Sequence, residues 1–217
     1  GKITDNTSTQ HTAGVWLANN FTGANLTMYP DAEIVNNFSK AGESAAVIVS
    51  QGTMTMNGGR ISDNVSENGL GGGVNIRRNG TFTMNGGEIT NNVNTGIGGG
   101  ISYSDDSENA CVILNNGTIT GNLMNATVVE EKDGDYSVSG GTSNDITIKK
   151  DIANNGHRYI SINDEVVIGN SKIYMQKYNF SIERPSEGVK FGNAATAENF
   201  NDNNPIPAGT VTCETAV

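Results

Sequence analysis

Over the first 125 residues, apolar and polar positions alternate in short stretches, which is the two-residue period of a β-strand rather than the 3.6-residue period of a helix. The stretches recur. One set carries Val15 and Leu17, Val47 and Val49, Val74 and Ile76, then Ile101 and Tyr103. A second carries Leu26 and Met28, Met54 and Met56, Phe82 and Met84, then Val112 and Leu114. A third is centred on Ile3, Ile34, Ile61, Ile89 and Ile119, which follow one another at steps of 31, 27, 28 and 30 residues. The chain therefore repeats with a period close to 28 and three short strands per repeat. Gly58-Gly59, Gly86-Gly87, the Gly-Gly-Gly runs at 71–73 and 98–100 and several Asn pairs punctuate the strands, where positive φ is expected.

A unit of three short strands cannot bury its own apolar side chains, so copies must stack. Coiling and stacking place equivalent strands about 4.8 Å apart in parallel sheets, one coil per repeat. The prediction is an all-β, right-handed parallel β-helix, a solenoid of coils about 28 residues long. A β-propeller blade needs four antiparallel strands in about 40–45 residues, and a leucine-rich repeat needs an L-x-x-L-x-L pattern that is absent here. Stacking turns equivalent positions into columns. Asn37, Asn64, Asn92 and Asn122 are predicted to form a ladder of side-chain amides bonded coil to coil. Lys2, Glu33, Arg60 and Glu88 precede the isoleucines and are predicted to alternate in sign on the outer face, each opposite pair contributing about 0.2–1 kcal/mol. That reading makes them structural rather than catalytic.

Residues 1–125 are thus read as regular coils, and 126–217 as irregular β rungs and a C-terminal cap of the same domain, because a solenoid needs atypical ends to cover its core and strand edges. The segment 128–135 (Val-Val-Glu-Glu-Lys-Asp-Gly-Asp) reads as a charged loop, as does 193–208 with Pro205 and Pro207. Alternation returns at Ile146/Ile148, Ile160/Ile162, Val166/Ile168, Ile173/Met175, Phe180/Ile182 and Val189/Phe191. Gly1 enters partway through a coil, so the natural chain is expected to extend further towards the N-terminus.

Composition fits many tight turns, with 31 Asn and 28 Gly among 217 residues. At 35% hydrophobic and 17% charged, the chain is too apolar and too weakly charged for a disordered acidic tail. Its net charge of −10, with no offsetting basic patch, argues against nucleic acid and disfavours anionic ligands except at Arg77-Arg78. No apolar run approaches the roughly 18 residues of a membrane span, so no membrane insertion is expected. Cys111 and Cys213 fit neither zinc nor redox spacing. They are expected to be unpaired thiols, the alternative being one disulfide tying the C-terminus to the body. No cofactor and no metal are expected.

The copies Gly-Thr-Met-Thr-Met-Asn-Gly-Gly-Arg-Ile-Ser-Asp-Asn (52–64) and Gly-Thr-Phe-Thr-Met-Asn-Gly-Gly-Glu-Ile-Thr-Asn-Asn (80–92), each followed by Gly-Gly-Gly and then Val or Ile, carry a resemblance. They resemble the pectate-lyase-like β-helix repeats of large surface proteins from gut and oral bacteria, often called adhesin-like proteins. The resemblance covers the first 125 residues and, more loosely, Ser-Asn-Asp-Ile-Thr-Ile (143–148). It implies an extracellular protein, wall-attached or secreted, and a fragment of a longer chain. It implies no defined ligand, since that family's repeats are mainly scaffold, and no LPxTG-type anchor is present to carry over an attachment.

Four functions are compatible with these features. The first is a non-catalytic binding module, an adhesin presenting one long face to host or microbial glycans or mucin. Trp16, the one tryptophan, alternates with inward Val15 and Leu17 and so is expected to point outward, where an aromatic face suits a sugar ring. Neighbouring coils put Arg77, Arg78, Tyr103, Asp105 and Asp106 on the same side, and these with Trp16 are the expected ligand-binding residues. The competing reading packs Trp16 against a further N-terminal coil. The second function is a structural spacer, which requires no special residues.

The third is a polysaccharide lyase or glycoside hydrolase, because parallel β-helices often host such enzymes. Asp105-Asp106, one coil from Arg77 and Arg78, is the best carboxylate pair, but adjacent strand residues point to opposite faces and Ser-Asp-Asp-Ser-Glu-Asn reads as a solvated turn. Gly156-His157-Arg158 keeps only part of the polygalacturonase Gly-His-Gly motif. No catalytic residue is assigned. The fourth is ice binding on columns of Thr53, Thr55, Thr81 and Thr83, which Asn25 and Ile113 interrupt. A monomer is expected throughout.

Overall fold

The computed structural model describes residues 1–18, 23–40, 42–103, 111–131, 135–148, 158–168, 173–175, 180–183 and 211–213. In chain order the strands are β1 (Lys2–Thr4), β2 (Thr7–Ser8), β3 (Val15–Leu17), β4 (Asn25–Met28), β5 (Glu33–Val35), β6 (Phe38–Ser39) and β7 (Val47–Ser50). Then come β8 (Thr53–Ser62), β9 (Val65–Ser66), β10 (Val74–Arg77), β11 (Thr81–Thr90), β12 (Val93–Asn94), β13 (Ile101–Tyr103) and β14 (Cys111–Thr120). The last seven are β15 (Leu123–Glu130), β16 (Tyr136–Ser143), β17 (Ile146–Ile148), β18 (Arg158–Ile168), β19 (Ile173–Met175), β20 (Phe180–Glu183) and β21 (Val211–Cys213). No helix occurs among the described residues.

Equivalent strands of successive coils pair in parallel, giving a β-solenoid of about 4 turns whose coils recur about 28 residues apart and whose walls are three sheets. Sheet A runs β1-β5-β8-β11-β14-β18-β20-β21, with β4 also paired to β8. Sheet B runs β2-β6-β9-β12-β15-β16, and sheet C runs β3-β7-β10-β13-β17-β19. Sheet A ends on β21 and sheet B on β16, each antiparallel to its neighbour.

The register brings the predicted columns together. Ile3, Ile34, Ile61, Ile89 and Ile119 are successive partners, and the last three are fully buried. Met54, Phe82 and Val112 form a second inward column, and Met28, Met56, Met84 and Leu114 a third, all in one continuous core with Val47, Val74 and Ile101 of sheet C. Each such side chain contributes about 1.5–3 kcal/mol by leaving water.

The asparagine ladder is present and longer than predicted. Nδ2 of Asn6, Asn37, Asn64 and Asn92 donates to Oδ1 of the asparagine one coil on, at 2.8–3.0 Å. Asn122 donates at 2.7 Å to Oδ1 of Asp145, which closes the series. On the outer face Glu33 lies 2.8 Å from Lys2 and 3.6 Å from Arg60, as the alternation of sign requires.

Four local features differ from the sequence reading. The second and third strands of a repeat are one ten-residue strand in β8, β11 and β14. Where β11 bends, Gly87 has φ +98°, and a Cβ there would stand 2.6 Å from the Gly59 carbonyl, so only glycine serves. Two coils earlier Pro30, which has no N–H to give a ladder, separates β4 from β5. The third wall is instead made by two-residue strands directly after the ladder asparagines. Next, 128–135 is not a loop throughout, because Val128–Glu130 and Tyr136 belong to the antiparallel hairpin β15–β16. Finally, the Gly-Gly-Gly runs mostly serve closeness rather than positive φ. A Cβ on Gly73 would stand 2.6 Å from the Gly100 carbonyl, and one on Gly100 would stand 2.5 Å from that of Asp145.

Cys111 is a free thiol, half-buried, and burial pushes its ionisation up. In sheet A, β18 and β20 lie between the strands that carry Cys111 and Cys213, a separation beyond the roughly 7 Å between Cα atoms that a disulfide spans.

Candidate functional site

The expected binding residues lie on the outer face of sheet C. Alternation along β3 buries Leu17 in the core and leaves Trp16 42% exposed. Its ring rests on His11 with centroids 5.3 Å apart and planes tilted by 43°. Trp16 aligns with Ile48, Asn75, Ser102 and Thr147 along the sheet. Ile48, Asn75, Ser102 and Thr147 of that outward column are buried, because the segments leading into the sheet-C strands fold over them. Asn75 Nδ2 donates to the Glu43 carbonyl at 3.1 Å, Ser102 Oγ donates to the Leu70 carbonyl, and Thr147 Oγ1 donates to Asn144 Oδ1 at 2.7 Å. Of these five residues Trp16 alone reaches solvent.

Arg77 lies on β10, two strands from β3, and its guanidinium is held by the Glu43 carboxylate. Arg78 follows in the left-handed conformation, φ 51°, inside a turn closed by the Gly80 N–H donating to the Arg77 carbonyl at 2.9 Å. Tyr103 aligns with Ile76 at the end of β13. Asp105, Asp106 and Gly156-His157 lie outside the described residues. Sheet C thus carries Trp16, Arg77, Arg78 and the Tyr103 backbone on one wall, with Ile48 and the Arg77–Glu43 pair between the tryptophan and Arg78.

A second place was not singled out by the sequence. The hairpin β15–β16 leaves the wall at Leu123, which pairs with Val93, and folds back over sheet B. Ala126, Val128, Tyr136 and Val138 pack on Phe38, Val65 and Val93 of three successive coils. The Tyr136 and Phe38 rings lie 4.6 Å apart, and Lys40 forms an ion pair with Glu130. Beside the hairpin run two adjoining hollows that share Asn36 and Tyr136. One, about 570 Å³, is edged by Asp5, Glu131 and Asp135. The other, about 390 Å³, is floored by Val65, Val93 and Val138 with Asp63 at its rim. Tyr136 ionises later than an ordinary tyrosine, first because it is buried and then because Asp63 and Asp5 oppose a negative charge there. The signal was legible in principle, since Val128 and Val138 flank an Asp-Gly at 133–134, a hairpin turn pair between alternating strands.

Among the described residues no group of three His, Cys, Asp or Glu side chains is arranged to hold a metal ion. The threonines align as expected, Thr53 with Thr81 and Thr55 with Thr83, and the rows continue to Cys111 and Ile113. No protein-family model, curated protein or solved structure matches the chain.

Proposed function

We propose that this protein is an extracellular, adhesin-like β-helix module of the pectate-lyase-like kind, non-catalytic, which binds glycans on the outer face of sheet C. The observation that carries the reading is Trp16, a tryptophan left 42% exposed in line with the roofed Ile48, Asn75, Ser102 and Thr147, and tilted against the His11 ring. A fixed aromatic plane with few rotamers to lose, beside a polar ring, suits the apolar face of a sugar. Arg77, paired with Glu43, and Arg78 put positive charge on the same wall, which favours acidic sugars. The repeats' resemblance to bacterial surface proteins supports the location.

A different observation favours the spacer reading. Most conspicuous polar residues are consumed between coils, in the Asn6-to-Asp145 ladder, in a second exposed row of Asn57, Asn85 and Asn115 and in the Lys2–Glu33–Arg60 series. A glycan-array and mucin screen of the purified protein separates the two. Binding that falls about tenfold or more in Trp16→Ala, the scale of an aromatic anchor, supports the adhesin. Folded protein that binds no glycan leaves the spacer.

A further inference from the structure

β16 is the end strand of sheet B, and among the described residues no strand pairs with its other edge. Such an edge is a row of backbone donors and acceptors ready for another chain. The groove described above is lined by Tyr136 and Val138 of this strand rather than by β15 beyond Leu123. Its two sections differ in chemistry. The floor near Val65 and Val93 is apolar, while Asp5, Asp63, Glu131 and Asp135 give four carboxylates, and none of the described lining residues is Lys, Arg or His. Lys40, close by, is already paired with Glu130. Tyr136 is held protonated chiefly by its burial, and after that by Asp63 and Asp5, two of the same carboxylates.

We propose that this groove docks an extended basic peptide, which adds to sheet B as a strand along β16. Strand addition supplies main-chain bonds for affinity, and the alternating side chains supply selectivity. In this register one side of the peptide's alternation sets apolar side chains on Val65, Val93 and Val138, and Lys or Arg side chains reach the carboxylates. The four residues of β16 before the left-handed Gly140 and Gly141, 136–139, offer a straight edge of about 13 Å at about 3.3 Å per residue. The partner is therefore a short, alternating basic and apolar segment of another protein, and the proposal stands independently of glycan binding on sheet C.

Fluorescence anisotropy with three labelled eight-residue peptides tests it: alternating Lys-Val, alternating Glu-Val, and the Lys-Val peptide N-methylated at every second backbone nitrogen, prepared in both registers. The Lys-Val peptide is expected to bind, to weaken about tenfold or more in Asp5→Asn/Asp135→Asn and in high salt, and to lose binding when N-methylated in one register. Both aspartates are exposed, so the double variant folds, and circular dichroism checks that it does. Equal binding of Lys-Val and Glu-Val peptides overturns the charge match. Full binding of both N-methylated registers overturns the added strand. A neutral oligosaccharide that binds this groove while the Lys-Val peptide does not overturns the partner class.

Discussion

Asparagine pairs in this chain divide two tasks between neighbouring residues. Asn36, Asp63 and Asn91 take the left-handed conformation, at φ 56°, 58° and 55°, and turn the chain from sheet A to sheet B. Asn and Asp tolerate that region better than other side chains bearing a Cβ. The next residue, Asn37, Asn64 or Asn92, is fully buried and serves the ladder. Its Nδ2 reaches forward to the next amide and back to the isoleucine carbonyl of the preceding coil, as from Asn92 to Ile61 at 3.0 Å. Its Oδ1 accepts both the backbone N–H and Nδ2 of the asparagine before it, as at Asn92 from Asn64. The recurrence of Asn made four of these residues legible from sequence. Asp145 was not, because it reaches the ladder from the segment after the hairpin and breaks the spacing.

The ladder has one direction, and Asp145 Oδ1 is its final acceptor, taking both Nδ2 and the backbone N–H of Asn122. Asp145→Ala is expected to leave two buried donors unmet at a cost of about 1–3 kcal/mol for each, whereas Asp145→Asn keeps the acceptor and is expected to cost less. Urea unfolding of the two variants checks the order; equal losses would mean that the carboxylate's role is not acceptance at Oδ1.

At the scale of elements, legibility followed length. Strands of sheets A and C span at least three residues and repeat their alternation in every coil, so period and face were readable. The first four strands of sheet B, β2, β6, β9 and β12, offer two residues each, too few to show a period, and were assigned no wall. The hairpin was masked by charge, since Glu130, Glu131, Lys132, Asp133 and Asp135 crowd its sequence, although Val128, Tyr136 and Val138 supply the apolar face that holds it on sheet B. Its dependence on Tyr136 has a pH signature. Because the folded protein holds the Tyr136 proton more tightly than the unfolded chain does, stability contributed there is complete below the usual value of 10.0 and falls as pH rises above it. Tyr136→Phe, which keeps the ring against Phe38, is expected to flatten the alkaline loss of stability above pH 10. Thermal melts across that range would show it, and an unchanged alkaline slope would remove Tyr136 as its source.

Across the whole molecule, stability comes from repetition. Each coil exposes apolar residues on both of its faces, and the next coil covers them, so isoleucine stands on isoleucine, amide on amide and opposite charge on charge. The predicted open face did not follow from this scheme. Linkers of the same chain roof sheet C, and a linker's path depends on residues such as Glu43 and Leu70 that carry no repeat signature. The account rests on the coil-to-coil register, and one cross-linking experiment tests it most directly. Thr27 and Thr55 are direct partners on neighbouring coils, whereas Asn57 lies two residues further along the same face. In a chain with Cys111→Ser and Cys213→Ser, the pair Thr27→Cys/Thr55→Cys sits about 4.8 Å apart, within disulfide reach, and is expected to oxidise fully, while Thr27→Cys/Asn57→Cys, at about 8 Å, stays reduced. Oxidation of the offset pair in preference to the aligned one would contradict the stack.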